Sequence, residues 1–250
     1  GLRRWAMWGA HAHRTNYEEQ MKYFGLESKE SLAVLQKERK GTLFVDVQRR
    51  INMYLRALWA RDFFMKPTSG DFETREGYKP YIENYFIYLP DAYDSHAGVT
   101  ATEVYRAAAA HAAAHLVETK QPISAEGLNP MQMAVISVIE DARVEALAIR
   151  RFPGLRKTWA ALHTATPDMA VTMGDYLNRL ARALLDPDYQ DNDDWIIEGR
   201  QLFAAAQDKL DSHQISWDIG VQLTHSFREK NIPFAMLTDQ LTAPYRDDNR

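Results

Sequence analysis

The sequence contains no cysteine among its 250 residues. This absence excludes disulfides and thiolate metal ligands, and it agrees with a reducing cytoplasm, where we expect the protein to reside. Long apolar runs are missing as well, because the alanine-rich stretch 107–114 is short and is broken by His111. A membrane-spanning helix needs about 20 apolar residues. No membrane span and no signal peptide are therefore predicted.

An excess of positive charge is also lacking. The formal net charge is -4, whereas a nucleic-acid-binding protein needs a basic face to neutralise phosphates. We therefore expect no nucleic-acid partner. Hydrophobic residues make up 46% and charged residues 26% of the sequence, which is typical of a soluble globular protein.

Amphipathic helical periodicity dominates what is present. Phe44, Val47, Ile51 and Leu55 recur at spacings of three and four, the pattern of a helix with one core-facing stripe. Residues 1–60 are accordingly predicted to form N-terminal helices that pack on the core of the protein.

Residues 61–250 are predicted to form a mainly helical domain with a short β-hairpin-like element at 62–90. Two aromatic and β-branched runs, 63–65 and 85–89, are flanked by glycine and proline in that stretch, as expected for short strands joined by a loop. The predicted fold class is mainly α with a small β element (α+β).

A pair of consecutive helices, predicted within residues 100–153, carries the chemistry of the chain. Thr100 followed by Glu103 is a capping-box pattern, and Asn129-Pro130 supplies a second helix start. On the first helix His111 and His115 are four residues apart, so both imidazoles lie on one face.

The second helix ends in a cluster of charged residues that require partners if they are buried. Arg143 is an internal partner for Glu140, while Asp141 and Glu145 share a helical face that would attract another cation. A metal ion or the two histidines would serve equally well. The expected buried charge network comprises Asp141, Arg143 and Glu145.

The histidine pair matches the spacing of zinc peptidases with an HExxH motif. We predict a tentative zinc site at His111, His115 and Glu140, in a degenerate zincin-like helix pair. Ala112 stands where the general base of such a peptidase would be, so peptidase activity is not expected. The alternative is a pair of core histidines hydrogen-bonded to Glu140 or Asp141. The missing general base favours this alternative, so we predict that a chelator has little effect on stability.

Several long strings resemble the CbbO/NorD family over essentially the whole chain. They are EVYRAAAAHAAAH, LNPMQMAVISVIEDARVEALAIRRFPGLR, LARALLDPDYQD and TAPYRDDNR. The string LAVLQKERKGTLFVDVQRRINMYLRALWARDFFMKPTSGDFETREGY is most similar to the CbbO branch. The resemblance implies a fragment lying upstream of a C-terminal von Willebrand A domain, whose Asp-x-Ser-x-Ser metal motif does not occur here.

Members of that family are partners of hexameric MoxR-type AAA+ ATPases. CbbO works with the ATPase CbbQ as a Rubisco activase, and NorD is needed for active nitric oxide reductase. The resemblance thus implies an adaptor that bridges a CbbQ-like ATPase and inhibited Rubisco, with ATP hydrolysis in the partner, because this chain has no phosphate-binding loop motif. The alternatives are a NorD-like role and a degenerate metal-dependent hydrolase using Glu118 or Glu145 as its base.

Overall fold

Helices dominate the chain in the computed structural model, which describes residues 2–38, 41–68, 79–121, 123–233 and 241–246. Ten α-helices and five short strands occupy these residues, so the predicted class, mainly α with a small β element, is confirmed. No described helix is both long and apolar enough to cross a membrane. The chain divides into two compact units, Gly1–Gly41 and Thr42–Arg250.

The first unit is built around the buried side chain of Tyr23. The Tyr23 hydroxyl donates a hydrogen bond to the carbonyl of Trp5 (3.1 Å), and the rings of Trp5 and Trp8 stack on the tyrosine ring. Trp5 Nε1 donates in turn to Ser31 Oγ (2.9 Å). These contacts hold together three short helices: α1 (Leu2–Ala12), α2 (Tyr17–Phe24) and α3 (Lys29–Glu38).

The second unit contains the remaining seven described helices. They are α4 (Phe44–Trp59), α5 (Ala101–Glu118), α6 (Pro130–Arg151), α7 (Gly154–Ala160), α8 (Met173–Leu185), α9 (Asp194–Ala205) and α10 (Gln214–Phe227). Helix α4 falls in this unit, and not with α1 to α3, because its apolar stripe is buried in the same core as α5. The capping box predicted at Thr100 forms. Asn129 is the N-cap of α6, as predicted, and Gln132 completes a capping box there.

The small β element differs from the hairpin expected at 62–90. Its five strands are β1 (Thr42–Leu43), β2 (Phe64–Pro67), β3 (Tyr81–Glu83), β4 (Phe86–Leu89) and β5 (Ala92–Tyr93). The predicted strands β2 and β4 pair in parallel, and the hairpin lies between β3 and β4. Asn84, at the hairpin turn, has a φ of 56°, which a tight two-residue turn requires. Strands β1 and β5 form a separate antiparallel pair.

Helix α6 lies between two hydrophobic clusters of the second unit. Val144 and Ala148 belong to a cluster with α4, α5, α7 and the strands, whereas Val138 and Ile139 belong to one with α8, α9 and α10. The charged residues of α6 are therefore surrounded by packed apolar side chains on both sides. Burying them requires compensating partners.

Helices α6 and α10 approach each other closely at Gly220. A Cβ atom at this position would lie 2.4 Å from Ile136 Cγ1 and 2.8 Å from Ile136 Cα. Only glycine fits without moving one helix. This contact brings Ser216, one turn before Gly220 on α10, next to Glu140, one turn after Ile136 on α6.

Candidate metal centre and buried charges

Helices α5 and α6 present two pairs of polar residues to each other. His111 Nδ1 lies 3.2 Å from Glu145 Oε1, and His115 Nε2 lies 3.2 Å from Asp141 Oδ1. His111, the first histidine of α5, faces Glu145, the later acid of α6, and so the two helices run antiparallel. Because residues four apart share a helical face, the pairs meet along one line.

Three buried side chains of this group bring ligand atoms together. One atom each of His111, His115 and Asp141 lies within 4.8 Å of the others. His111 and Asp141 are 0% exposed and His115 is 6% exposed. Two imidazole nitrogens and a carboxylate oxygen are common ligands of transition metals, and the group could hold a metal ion.

Glu140, the expected third ligand, belongs to a different cluster. Arg143 donates from Nε to Glu140 Oε2 (2.7 Å) and from Nη2 to Oε1 (2.6 Å). Ser216 Oγ and Thr119 Oγ1 donate to the same carboxylate at 2.8 and 2.9 Å. Burial raises the pKa of Glu140, but Arg143 and Ser216 outweigh it and the net pKa is lowered. Adjacent helical residues project about 100° apart, so Asp141 faces the histidines while Glu140 turns away.

Arg246, which follows Glu145 by 101 residues in the sequence, is a cation that faces both Asp141 and Glu145. Its Nη2 donates to Glu145 Oε2 (2.8 Å) and its Nε to Glu145 Oε1 (3.1 Å). Its Nη1 lies 3.5 Å from Asp141 Oδ2. The shared face of the two acids thus has a cation partner, as their spacing suggested, and this partner is 2% exposed.

Residues 241–246, here called the C-terminal strap, carry Arg246 into the core. The Tyr245 hydroxyl donates to Glu145 Oε1 (2.8 Å) and lies 2.9 Å from His163 Nε2. The strap is fixed at its start by Thr242, whose backbone N–H donates to Asn178 Oδ1 (2.7 Å). Helices α6, α7 and α8 and the following loop therefore hold the strap at the candidate metal centre.

This arrangement lowers the pKa values of Glu145, Asp141 and His163. Burial raises the pKa of Glu145, but Arg246 and His111 lower it by more, to about 2. The same balance, with Arg246 the main lowering partner, brings the pKa of Asp141 well below its usual range. Burial and then Arg246 lower the pKa of His163 to about 3. Both acids are thus ionised and His163 is neutral near pH 7.

Several partners were missed from the sequence. Tyr245 and Arg246 lie in a short polar stretch with no periodic pattern, and Ser216 and His163 carry no motif. The sequence did contain one indication for Asp141. His111 and His115 on one helix, and Asp141 and Glu145 on the next, are each four residues apart, so the two pairs can face each other. Glu140 has no such counterpart on α6.

Comparison of the chain with protein-family models, with curated proteins and with solved structures gave no match.

Proposed function

We propose that this chain is a non-enzymatic, cytoplasmic adaptor module of the CbbO type, which bridges a CbbQ-like MoxR AAA+ ATPase hexamer and inhibited Rubisco. The partners come from the resemblance of its long sequence strings to the CbbO/NorD family. The structural observation that supports a non-enzymatic role is the closure of the site around His111, His115 and Asp141.

Burial closes that site to a substrate. His111, Asp141, Glu145 and Arg246 are each at most 2% exposed. The Tyr245 ring covers His111 at a centroid distance of 5.3 Å. Enzyme sites are concave and accessible to the molecule they act on, whereas this one is filled by the protein's own side chains.

The chemistry of a hydrolase also lacks its base. Ala112 is buried beside His111 and offers only a methyl group. Glu145 is already bound by Arg246 and Tyr245, and Glu118 is the last residue of α5, nearly one turn beyond His115. Neither glutamate is placed as a free proton acceptor beside the histidine pair.

Zinc is the cofactor that we propose for the group of His111, His115 and Asp141. Calcium and magnesium prefer all-oxygen surroundings, whereas two imidazoles with one carboxylate suit zinc. In this setting the metal would hold helices together, as structural zinc does, and would supply no reaction.

A reconstitution experiment tests the adaptor role. The parent protein, with or without residues 1–250, is mixed with the CbbQ-like ATPase, ATP and inhibitor-bound Rubisco, and recovery of carboxylation is measured. We expect recovery with the intact parent only, while the ATPase alone retains its basal hydrolysis. Equal recovery without this region contradicts the adaptor role.

Two further assays separate the alternatives. Replacing Rubisco by inactive nitric oxide reductase tests the NorD-like role, for which gain of reductase activity is the expected sign. Incubation with a peptide library and zinc, with His111→Ala as the control, tests the hydrolase. Zinc-dependent cleavage by the wild type alone would replace the adaptor proposal by an enzymatic one.

A further inference from the structure

We infer that His111, His115 and Asp141 form a buried zinc centre with three protein ligands, whose outer shell comes from Glu145 and the C-terminal strap, so that zinc binding and strap docking stabilise each other. This inference rests on zinc being the cofactor, but it does not depend on the adaptor role. Three observations carry it: the ligand spacing, the position of Glu145 behind His111, and the position of Arg246 behind Asp141.

The distances from Asp141 to the two histidines are close to those between ligands of one tetrahedral ion, and all three ligand atoms lie within 4.8 Å of one another. Two ligands at zinc distances and a tetrahedral angle lie about 3.3 Å apart. Asp141 Oδ1 lies 3.2 Å from His115 Nε2 and 3.7 Å from His111 Nε2. The second distance is too long for a hydrogen bond, yet it is close to the separation of two ligands on a shared ion.

Glu145 orients His111 for coordination. The carboxylate lies 3.2 Å from Nδ1 of His111, and its negative charge favours a proton on Nδ1, although the two groups are not aligned as a hydrogen bond. The Nε2 lone pair then points towards the side on which Asp141 lies. A carboxylate behind a histidine ligand is the usual outer shell of zinc sites, where it fixes the tautomer and the ring orientation.

Arg246 lies on the other side of Asp141, at ion-pair distance. Its guanidinium lies 3.5 Å from Asp141 Oδ2, and the other oxygen, Oδ1, is the one that faces both histidines. One oxygen of the Asp141 carboxylate therefore lies next to the guanidinium, while the other faces the two histidines. Arg246 and Tyr245 hold Glu145 at the same time, so one strap supports both outer contacts.

The test measures metal content and zinc affinity of the 250-residue chain. Elemental analysis should find about one zinc per wild-type chain. Asp141→Asn should lose the zinc, and Glu140→Gln, the neighbouring acid, should keep it. Tyr245→Phe removes an outer-shell hydroxyl and should weaken zinc binding by about 10-fold, at the low end of outer-shell effects.

Tyr105→Phe is the matched control for the strap. Tyr105 is also buried and donates its own hydrogen bond, to the carbonyl of Pro90 (2.7 Å). Its variant should bind zinc like the wild type. Competition with a chromophoric chelator gives the affinities, and trypsin cleavage should show a strap protected by zinc in the wild type.

Each contrary result is decisive. Wild type purified in zinc-containing medium without zinc, or with iron in its place, overturns the zinc centre. Loss of zinc in Glu140→Gln but not in Asp141→Asn overturns the ligand assignment. Unchanged affinity in Tyr245→Phe overturns the role of the strap.

If Asp141→Asn does not fold, the absorption spectrum of wild type loaded with Co²⁺ tests the site instead. A four-coordinate Co²⁺ spectrum is expected, and a six-coordinate spectrum contradicts the site. Retained Rubisco activation in a zinc-free protein would separate failure of this centre from failure of the adaptor role.

Discussion

Glu140 and Asp141 are neighbours on α6, yet they belong to two different kinds of charge cluster. Glu140 is paired with one guanidinium, from Arg143, and accepts hydrogen bonds from two hydroxyl groups. Asp141 faces two histidines and shares Arg246 with a second acid, Glu145. The first cluster contains one acid and one guanidinium, whereas the second contains two acids, one guanidinium and two histidines.

This difference shows that the burial of an acidic side chain does not by itself indicate a metal site. Both acids are nearly inaccessible to solvent, and both have lowered pKa values in spite of their burial. What separates them is the identity of the partners: a guanidinium cannot bind a metal and hydroxyls are poor ligands for transition metals, whereas imidazoles are good ones. The Glu140 cluster therefore holds helices together, and the Asp141 cluster is the candidate centre.

Removing the cation of the Asp141 cluster should give the largest loss of stability. Arg246→Ala leaves Asp141 and Glu145 buried without their guanidinium, and breaking a buried ion pair in this way costs about 3–5 kcal/mol. Urea unfolding at pH 7 measures the loss. Arg156→Ala is the control, because Arg156 is exposed and, within the described part of the chain, donates a side-chain hydrogen bond to the Leu185 carbonyl alone. Its effect should stay within about 1 kcal/mol. Equal losses in the two variants would contradict the account.

An added methyl group at Gly220 should disturb only the Glu140 cluster. In Gly220→Ala the new Cβ meets Ile136 side-chain and backbone atoms, so α10 must move away from α6 and carry Ser216 with it. Overpacking of this kind costs about 1–3 kcal/mol. Zinc affinity should not change, because the Asp141 cluster has no residue on α10.

Gly154→Ala controls for the chemical change, since a Cβ there meets no atom within 4 Å. Its unfolding free energy should change by about 0.5 kcal/mol or less. A Gly220→Ala protein as stable as Gly154→Ala would show that the close approach of α6 and α10 is not required.

An ion pair outside both clusters, between Arg179 and Asp191, should make the stability depend on pH in acid. Burial raises the pKa of Asp191, but hydrogen bonds from Arg179 (2.7 and 3.0 Å) and Tyr189 (2.6 Å) lower it by more. A lowered folded-state pKa contributes stability above the unfolded pKa of about 3.9, and this contribution is lost as the pH falls through the folded value.

Asp191→Asn removes this contribution. The unfolding free energy of the wild type should therefore fall more steeply than that of the variant between about pH 5 and pH 3. Denaturant titrations across that range measure both slopes. Parallel slopes would show that Asp191 keeps its ordinary pKa in the folded protein.

The parts of the fold that depend on local sequence were predictable. Capping at Thr100 and Asn129 involves residues three apart, and the histidine pair follows from one helical period. The parallel pairing of β2 with β4 was not predictable in this way, because a third strand, β3, intervenes in sequence and pairs on the other edge of β4. Strand order depends on contacts that no local pattern encodes.

The site could be predicted only in part, because some of its residues also come together through long-range contacts. His111, His115 and the charged stretch of α6 could be found from spacing, but the choice of Asp141 over Glu140 depends on how α6 is rotated against α5. That rotation is set by apolar residues on both sides of the helix, in the two clusters that meet there. Arg246 reaches the site through the C-terminal strap, whose path only the tertiary structure determines.

The most direct test of the metal-binding claim is the melting temperature of wild type, Glu140→Gln and Asp141→Asn with and without a chelator. An ion that binds only the folded state stabilises it by about 4 kcal/mol at a thousandfold excess over its Kd, or about 10 °C for a chain of this size. We predict that the chelator lowers the melting temperature of wild type and Glu140→Gln by such an amount and leaves that of Asp141→Asn unchanged. A wild type that melts at the same temperature with and without chelator, the outcome expected from the lost general base alone, would contradict the metal centre.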